Sequence, residues 1–477
     1  MSKRKQKHYT VPEVPIVDCT HDGKGIGRKG DFVAFVEKTV PGDLADVRVT
    51  GREKKVPTGI VERMIKPSPD RIAATCKHFG DCGGCKWQNL SYEKQLFYKE
   101  RQVTESMRRI GHLEASDARP IIGCSSPFQY RNKVEFTFSN RQWITAEQLQ
   151  KQEPNVPNAP ARNGALGYHV AKLYDKIIPI ETCHLHWPVI NEIRNEIRDF
   201  TRAAETPWYD IKAHTGYYRN AMFRTSEGTG ELMLLMIVAE DDAAPVEALF
   251  QHLQGRFPQI SSYLWMYNPK YNDSFSELQP RVWRGNPAII EHLGPWKFSI
   301  SPTSFFQTNS TQAKRLYDVV REFVGEKTGL IYDLYCGAGS IGIYVSDLAA
   351  KIVGVEYIAS AVKDAAENCK LNGLSHLSFH SGNLKDILNA EFVALEGRPD
   401  LIITDPPRAG MDEPVIQQLL EIEAPRIVYV SCNPATQARD LQLLCAKYEV
   451  LVTQPVDMFP QTSHVENVAL LQLRGKA

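Results

Sequence analysis

The carboxyl-terminal part of the chain alternates apolar strands with helices, and this pattern restricts the fold more than any other feature of the sequence. The segment TQAKRLYDVVREFV predicts a helix whose apolar face runs from Ala313 to Val324, and short apolar strands separated by helices follow to the end. Strands that alternate with helices pack as a parallel sheet covered on both faces. Residues 299–477 are therefore predicted to form a doubly wound, Rossmann-like α/β domain.

Polar residues stand at the ends of successive strands in this domain. The strand LIYDLYCGAGS carries Asp333 and runs into a glycine turn, the next strand ends at Glu356, and the following two end at Asn383 and Asp405. The carboxyl ends of parallel strands border one crevice, where open α/β sheets bind ligands. A carboxylate about 20 residues after such a turn can accept hydrogen bonds from both hydroxyls of a ribose. The order resembles that of class I S-adenosylmethionine-dependent methyltransferases.

One cysteine follows the fifth strand of the same sheet. RIVYVSCNPAT places Cys432 at the carboxyl end of the strand and opens a helix at about Ala435, whose dipole favours a thiolate. Further along, DMFPQTSHVENVALLQL places Glu466 just before the final strand. Thiolates act as nucleophiles and carboxylates as general bases. Cys432 and Glu466 are therefore candidate catalytic residues.

Four segments together resemble the signatures of the RNA 5-methyluridine methyltransferases. The segments are DLYCGAGS, TDPPRAG, YVSCNPAT and MFPQTSHVE, and they occur in the order of that family. The resemblance implies that S-adenosylmethionine is the cofactor, that Cys432 is the nucleophile, that Glu466 is the base and that Arg408 lies near the active site. It also implies six cofactor-binding residues, which are Gln307, Tyr335, Ser340, Glu356, Asn383 and Asp405.

The chemistry of such a reaction explains why it needs both a cysteine and a base. Carbon 5 of uracil is a poor nucleophile, and addition of a thiolate to carbon 6 produces an enolate whose negative charge reaches carbon 5. After methyl transfer, a base removes the proton on carbon 5 so that the cysteine is expelled. The target base has to leave its stack to reach the thiol, which favours a uridine in a single-stranded loop.

Three further cysteines are close together in the sequence and indicate a metal site. Cys76, Cys82 and Cys85 form a C-x5-C-x2-C pattern around two glycines. Four thiolates complete either a zinc site or an iron–sulfur site, and the spacing does not choose between them. Since only one C-x2-C pair is present, the fourth ligand has to come from a distant part of the chain.

The cysteine pattern and the amino-terminal residues resemble the branch of the family that methylates 23S ribosomal RNA. In that branch the cysteines hold a [4Fe-4S] cluster with a fourth cysteine from a central domain, a place that Cys183 matches, with Cys124 as the second candidate. Residues from about Val14 to Arg63 alternate short β-branched stretches with glycine turns, which predicts a small antiparallel barrel. The barrel resembles a TRAM domain, an RNA-binding module.

The chain is too long for one compact core, so several domains are expected. We predict a TRAM-like β-barrel over residues 1–70, a mixed α/β central domain over 71–298 and the methyltransferase domain over 299–477. The central domain is predicted to contain an insertion at about 140–165, whose proline-rich part, QKQEPNVPNAPARNG, has no assigned function. A helix is predicted from about Ser91 to Ile110. RNKVEFTFS and GELMLLMIVA indicate strands, and PVINEIRNEIRDFTR indicates a helix.

Composition restricts the partners of the protein. Lysine plus arginine equals aspartate plus glutamate at 56 each, so RNA binding has to depend on local basic patches. No apolar run approaches the roughly 18 residues of a membrane helix. The basic start MSKRKQKH lacks the apolar stretch of a secretory signal. We therefore expect a cytoplasmic, monomeric protein with RNA as its partner and no membrane partner.

The expected activity is methyl transfer from S-adenosylmethionine to carbon 5 of a uridine in 23S ribosomal RNA, and three alternatives remain open. A transfer-RNA 5-methyluridine methyltransferase is the nearest, although such enzymes generally lack the barrel and the cysteine cluster. An amino-group methyltransferase usually has an aromatic residue where this chain has Arg408, and it would not need Cys432. A non-catalytic RNA-binding iron–sulfur protein predicts that cofactor binding is absent.

Overall fold

The structure is a computed structural model that describes residues 9–113, 118–144, 164–171, 173–272, 274 and 277–475. Most of the insertion predicted at about 140–165 lies outside the described residues. Within the described ranges, no helix is both long enough and apolar enough to span a membrane.

Five strands form a closed barrel at the start of the described chain, in the order β1-β2-β3-β5-β4. The strands are β1 (Tyr9–Cys19), β2 (Gly25–Lys29), β3 (Phe32–Glu37), β4 (Leu44–Glu53) and β5 (Val56–Lys66). Val14, Val36 and Val47 are among the side chains that fill its interior. The predicted barrel is confirmed, but it is not antiparallel throughout. Strand β5 pairs with β4 in the antiparallel direction and with β3 in the parallel direction, and the pairing with β3 closes the barrel.

A helix and a seven-stranded sheet follow the barrel. The elements are α1 (Tyr92–Arg109), β6 (Lys133–Ser139), β7 (Ala165–Val170), β8 (Leu173–Pro179), α2 (Pro188–Ala203), β9 (Tyr218–Thr225), β10 (Leu232–Val238), α3 (Ala244–Arg256), β11 (Ile260–Tyr267) and β12 (Arg281–Arg284). The strand order is β12-β11-β10-β9-β6-β7-β8. The predicted strands and helices are confirmed as β6, β10, α1 and α2.

The rest of the chain forms a hairpin and a second seven-stranded sheet with its helices. The elements are β13 (Ile289–Leu293), β14 (Trp296–Ile300), α4 (Ser310–Val324), β15 (Thr328–Leu334), α5 (Ser340–Tyr344), β16 (Ala349–Glu356), α6 (Ala359–Leu371), β17 (Leu377–Ser381), α7 (Leu384–Ile387), α8 (Ala390–Glu396), β18 (Leu401–Thr404), α9 (Glu413–Ile422), β19 (Arg426–Ser431), α10 (Pro434–Leu444), β20 (Tyr448–Val456) and β21 (Glu466–Leu473). A short 3-10 turn occupies Ser346–Leu348, between α5 and β16.

This second sheet has the order β17-β16-β15-β18-β19-β21-β20. Strands β15 to β19 pair in parallel, and β21 inserts between β19 and β20 in the antiparallel direction. Two apolar cores cover the two faces, one containing Leu316 of α4 and the other containing Leu441 of α10. The predicted doubly wound α/β domain is confirmed.

Helix α1 packs on this domain although it belongs to the region before the central sheet. Its buried residues are Gln95, Lys99, Val103 and Met107, which recur every four residues and form one face. Val103 and Met107 join the apolar core around Leu441. The polar half of the same face points into the protein, so its side chains require buried partners.

Candidate active site

The parallel strands bring five of the predicted residues to one edge of the sheet. Tyr335 follows β15, Glu356 ends β16, Asn383 lies two residues beyond β17, Asp405 follows β18 and Cys432 follows β19. Because all five strands run in the same direction, their carboxyl ends meet at this edge. The edge is therefore the candidate active site.

Strand β21 supplies the second candidate catalytic group. Ser431 pairs with Asn467 in the antiparallel ladder between β19 and β21. In an antiparallel pair, one step forward on one strand corresponds to one step backward on the other. Cys432 and Glu466, the next residues in each direction, therefore lie side by side at the end of the ladder.

The surroundings of Cys432 keep its thiol protonated. Burial, followed by the negative charges of Glu466 and Asp405, raises the pKa of Cys432 to about 11, although Arg408 opposes the shift. The helix dipole expected to favour a thiolate does not outweigh the burial of the thiol. Asn433 caps α10 by accepting a hydrogen bond from the backbone N–H of Ala435 at 3.2 Å. The free protein thus holds Cys432 in the thiol form.

Glu466 is buried, with 4% of its surface exposed, and is no solvated loop residue. Burial, followed by the charge of Asp405, raises the pKa of Glu466 to about 8, and the Arg408 guanidinium opposes this shift. A carboxyl group with this pKa exchanges its proton near neutral pH, which suits a general base. Burial also raises the pKa of Asp405 to about 7.

Arg408 is held beside the catalytic pair by contacts on both sides. Its backbone carbonyl accepts hydrogen bonds from Asn433 Nδ2 at 3.0 Å and from Thr436 Oγ1 at 3.2 Å. Its Nη2 atom lies 3.0 Å from Nδ1 and 3.1 Å from Nε2 of His464. Burial and the Arg408 charge lower the pKa of His464 to about 4, so the ring is neutral at physiological pH.

The glycine turn after β15 is tied to the end of β16. Tyr335, with φ 60°, starts the turn in the left-handed region, and Gly337 and Gly339 adopt φ 55° and 75°. The backbone N–H of Gly337 donates to Glu356 Oε2 at 3.0 Å, and that of Ile358 donates to Oε1 at 2.8 Å. Each carboxylate oxygen keeps a second lone pair for a ligand hydroxyl.

Two further contacts shape the start of α5. Asp333 Oδ2 accepts a hydrogen bond from the backbone N–H of Gly342 at 3.0 Å. Burial raises the pKa of Asp333 to about 7, although the Gly342 N–H opposes the shift. The hydroxyl of Ser340 lies 2.9 Å from that of Tyr317 on α4. Ser340 is therefore held by a tyrosine that the sequence assigned only to the apolar face of the helix.

The other two predicted cofactor residues differ in their placement. Asn383 caps α7, since its Oδ1 accepts a hydrogen bond from the backbone N–H of Lys385 at 3.3 Å. Gln307 lies in the loop before α4, and its backbone carbonyl accepts from Asn132 Nδ2 at 3.0 Å. The Gln307 side chain forms no hydrogen bond to the described residues, and the sheet does not bring it to the strand edge.

The four predicted metal ligands line one cavity of about 510 Å³, and they are Cys76, Cys82, Cys85 and Cys183. Burial, together with the charges of the neighbouring thiols, raises the pKa of Cys82 to about 11 and that of Cys85 to about 12. The described residues contain no group of three histidine, cysteine or acidic side chains close enough together to hold a single ion.

Each part of this cavity is fixed by hydrogen bonds. Gln88 donates to Cys85 Sγ at 3.1 Å and accepts from the backbone N–H of Cys76 at 3.0 Å. Asn191 on α2 holds Cys183 by accepting from its N–H at 2.8 Å and donating to its carbonyl at 3.1 Å. Cys124 lies outside the cavity lining, and its thiol donates to the carbonyl of Ser126 at 3.0 Å.

The sequence did not reveal how α1 holds the segment that leads to Glu466. Lys99 Nζ lies 2.5 Å from Asp457 Oδ1, and both side chains are fully buried. The backbone N–H of Gln461 donates to Gln95 Oε1 at 2.9 Å. A signal was present, because Gln95 and Lys99 share the helical face of buried apolar residues.

The fold and the residues at the strand ends define a methyltransferase that depends on S-adenosylmethionine. A crystal structure of the tRNA (uracil-54, C5)-methyltransferase of Pyrococcus abyssi, in complex with S-adenosyl-L-homocysteine, matches with a TM-score of 0.73 and 27% identity, over 96% of this chain and 99% of that chain. The family model described as tRNA (Uracil-5-)-methyltransferase matches residues 296–474.

Bacterial relatives match nearly the whole chain. An uncharacterized RNA methyltransferase of Bacteroides thetaiotaomicron is 43% identical over 458 residues, which are 95% of this chain and 99% of the relative. Another, from Porphyromonas gingivalis, is 44% identical over 462 residues, 96% of this chain and 98% of the relative. The chain belongs to the RNA uracil-5-methyltransferase family.

Proposed function

We propose that this enzyme methylates carbon 5 of a uridine in 23S ribosomal RNA in the cytoplasm, with Cys432 as nucleophile and Glu466 as base. The observation that carries the proposal is the placement of these two side chains next to each other at the strand edge, beside Asp405 and Arg408. A nucleophile and a base that reach the same substrate atoms are what a covalent carbon 5 methylation requires.

In this reaction the Cys432 thiol gives up its proton to solvent, and its sulfur forms a bond to carbon 6 of the uracil. The electrons of the double bond between carbons 5 and 6 move to carbon 5, where they form the bond to the methyl group. S-adenosylmethionine, when bound, supplies the electrophilic methyl group. Glu466 then takes the proton from carbon 5, the double bond between carbons 5 and 6 re-forms, and the sulfur leaves. Arg408 lowers the pKa of both Cys432 and Glu466, so it favours the deprotonated forms that these two steps use.

The proposed cofactor site lies across the same edge. Its residues at this edge and at the start of α5 are Tyr335, Ser340, Glu356, Asn383 and Asp405, and Gln307 is proposed to join them from the loop before α4. The second lone pairs of the Glu356 carboxylate suit the ribose hydroxyls, and the side-chain amide of Gln307 is free to bind a polar group. The left-handed Tyr335 and the glycines after it let the backbone approach a ligand closely.

We propose that Cys76, Cys82, Cys85 and Cys183 hold a [4Fe-4S] cluster. Four thiols that line one cavity are a suitable donor set. A four-iron cluster places one iron under each sulfur, so its cysteines stand farther apart than those around a single ion. This wider spacing is compatible with the absence of a compact three-ligand group among the described residues. The cluster is assigned a structural or RNA-contacting role without a redox step.

The proposed division of labour follows the three predicted domains. The TRAM-like barrel at 1–70 and the central domain at 71–298 hold the RNA around the target, and residues 299–477 carry out the chemistry as a monomer. Support for 23S ribosomal RNA is the resemblance of the barrel and the cysteine pattern to that branch of the family.

Transfer RNA is the second candidate substrate, and a specific observation favours it. The tRNA (uracil-54, C5)-methyltransferase of Pyrococcus abyssi aligns with 96% of this chain, including the regions before the methyltransferase domain. Possession of those regions therefore does not exclude a transfer-RNA substrate. Both candidates present the uridine in a loop, where it can be unstacked.

The test is a trapping experiment with 5-fluorouridine. Fluorine cannot leave carbon 5 as a cation, so the covalent complex persists after methyl transfer. The protein is incubated with S-adenosylmethionine and a fluorinated 23S ribosomal RNA fragment or a fluorinated transfer RNA. We expect an adduct with the ribosomal fragment that survives denaturation and is lost in Cys432→Ala. An adduct with transfer RNA alone would favour the second candidate, and no adduct with either would overturn the covalent mechanism.

A further inference from the structure

Basic side chains from three separate segments lie around His464, at the mouth of the candidate active site. Arg408 comes from the loop after β18, Lys86 follows the cysteine loop, and His21 is in the turn between β1 and β2 of the barrel. The Arg408 guanidinium contacts the ring of His464 directly. The charges of Arg408, His21 and Lys86 all act on the same ring, together with that of Lys99.

The barrel turn is built to lie against Lys86. The backbone N–H of Thr20 donates to the carbonyl of Lys24 at 2.8 Å, and that of Gly23 donates to the carbonyl of Thr20 at 3.0 Å, which closes the turn. Gly23 has φ +84°, and a Cβ added there would lie 2.9 Å from the Cβ of Lys86. This close approach is possible only for glycine, and it leaves His21 exposed on the outside of the turn.

Lys86 is in turn fixed to the segment that carries His464. The backbone N–H groups of Lys86 and Trp87 donate to the carbonyl of Gln461 at 2.9 and 3.1 Å. Gln461 lies three residues before His464 and five before Glu466. The barrel turn therefore packs against the Lys86 side chain, and the backbone of Lys86 and Trp87 is bound to the segment that carries His464.

The basic residues at this point differ from nearby lysines in having no ion pair among the described residues. Nearby lysines are paired: Lys24 with Asp22 and Glu53, Lys38 with Asp81, and Lys99 with Asp457. Within the parts of the chain that the structure describes, Lys86, His21 and Arg408 have no ion pair.

Unpaired cations that converge from rigid segments attract an anion. Arg408 also acts on Cys432 and Glu466, which connects the cations to the reacting atoms. An RNA chain that delivers a uridine to Cys432 brings its own phosphates to this mouth, since each nucleotide carries one. Phosphate groups bind to arginine and lysine side chains through charge-assisted hydrogen bonds.

We propose that Lys86, His21 and Arg408 form a binding site for a backbone phosphate of the RNA, adjacent to the uridine at Cys432. This inference rests on the proposed function for the position of the uridine. The site joins the barrel to the catalytic segment, so that a bound RNA contacts both at once. Its role is to position the RNA backbone, and it takes no part in the bond-making steps.

The test measures how salt affects RNA affinity. A single-stranded, uridine-containing RNA oligonucleotide is titrated with wild type, Lys86→Gln and Lys86→Arg over a range of salt concentrations. One lost phosphate contact reduces the slope of log affinity against log salt by about 0.7 for a single strand. This corresponds to a loss of affinity of about eightfold at 0.05 M salt and about threefold at 0.2 M, if the contact contributes nothing at 1 M.

Lys370→Gln is the matched control. Lys370 is an exposed lysine at the end of α6, on the side of the sheet away from β19, and it has no ion pair among the described residues. We expect an unchanged slope in this control and in Lys86→Arg, and a reduced slope in Lys86→Gln. Unchanged binding of S-adenosyl-L-homocysteine shows that each variant is folded.

The outcomes separate this site from the proposed function. An unchanged slope in Lys86→Gln, or an equal reduction in Lys370→Gln, overturns the phosphate site, even where the 5-fluorouridine adduct forms. A reduced slope in Lys86→Gln alone supports the site. If the slope is reduced in Lys86→Gln alone but the wild type forms no adduct with ribosomal or transfer RNA, the phosphate site is supported and the covalent function is overturned.

Discussion

Lys99 on α1 and Asp457 after β20 form an ion pair with an Nζ–Oδ1 distance of 2.5 Å, and both side chains are fully buried. Tyr92 donates a second hydrogen bond to Asp457 Oδ2 at 2.8 Å, and the backbone N–H of Phe459 donates a third, to Oδ1, at 3.1 Å. These contacts hold the start of the segment that leads to Glu466. The segment that carries the proposed base is thus positioned by a helix from another region of the chain.

Lys99→Met should destabilise the protein strongly. The substitution leaves the Asp457 carboxylate buried without its cation, which typically costs about 3 to 5 kcal/mol. Urea unfolding of the wild type and the variant would measure the difference. In the double variant Lys99→Met/Asp457→Asn, the amide oxygen still accepts from the backbone N–H of Phe459 and the amide nitrogen can donate to the Tyr92 hydroxyl, without a charge, so part of the stability should return. A single variant within about 0.5 kcal/mol of wild type would contradict this account.

Glu466→Gln should trap the enzyme on its RNA without any fluorine. The amide cannot remove the proton from carbon 5, so the covalent adduct should accumulate. The pKa of Glu466 is raised to about 8, so the fraction of the deprotonated base increases as the pH rises towards 8. In the wild type, the rate of adduct breakdown should therefore increase about tenfold for each pH unit up to pH 8 and stay constant above it. Single-turnover kinetics would measure both effects. Glu449→Gln, an exposed position on β20, serves as the control, and a pH-independent breakdown rate would argue against Glu466.

Asp333→Asn should change how stability depends on pH. Burial raises the pKa of Asp333 to about 7, above its value in the unfolded chain, so the folded state holds a proton that the unfolded state releases. Its contribution is present at low pH and is lost as the pH rises towards 7, by about 1.4 kcal/mol for each unit of pKa shift at most. The variant should therefore gain stability relative to the wild type as the pH rises from about 4 to about 7. Urea unfolding of both proteins at several pH values would measure this. A difference in the free energy of unfolding that stays constant across the range would refute the expectation.

Cys183→Ser should lower the iron content of anaerobically purified protein. Cys183 lines the cavity with the three clustered cysteines, whereas Cys124 lies outside it and donates to Ser126. Loss of one thiolate removes one of four cluster ligands. Iron analysis and the visible absorption spectrum of Cys183→Ser and Cys124→Ser form a matched comparison. If only Cys124→Ser loses iron, Cys124 and not Cys183 is the fourth ligand.

The local periodicity of the sequence was sufficient for much of the fold. Alternating apolar strands and helices indicated the parallel sheet, and the strand ends that follow from it brought Tyr335, Glu356, Asn383, Asp405 and Cys432 to one edge. Strand direction alone determines this gathering, because parallel strands end on the same side. The residues at the ends could therefore be predicted without knowledge of any side-chain contact.

The position of Glu466 depended on the insertion of β21 between β19 and β20. Local periodicity does not specify that the last strand inserts there, and the ladder register then decides that Glu466 meets Cys432. Local periodicity also does not specify the parallel pairing of β3 with β5, because this pairing depends on how the whole barrel closes. Pairings between distant segments depend on packing of the whole domain.

The sequence by itself thus determined the class of fold, and it selected the candidate nucleophile, the candidate base and the four cysteines proposed as cluster ligands. Only the tertiary structure decided the chemical state of these groups and what holds them. The pKa of Glu466 follows from its burial and from Asp405, and the pair of Lys99 with Asp457 joins residues more than 350 positions apart. Burial and charge proximity are properties of the packed chain, because they arise from neighbours in space that the order of residues does not list.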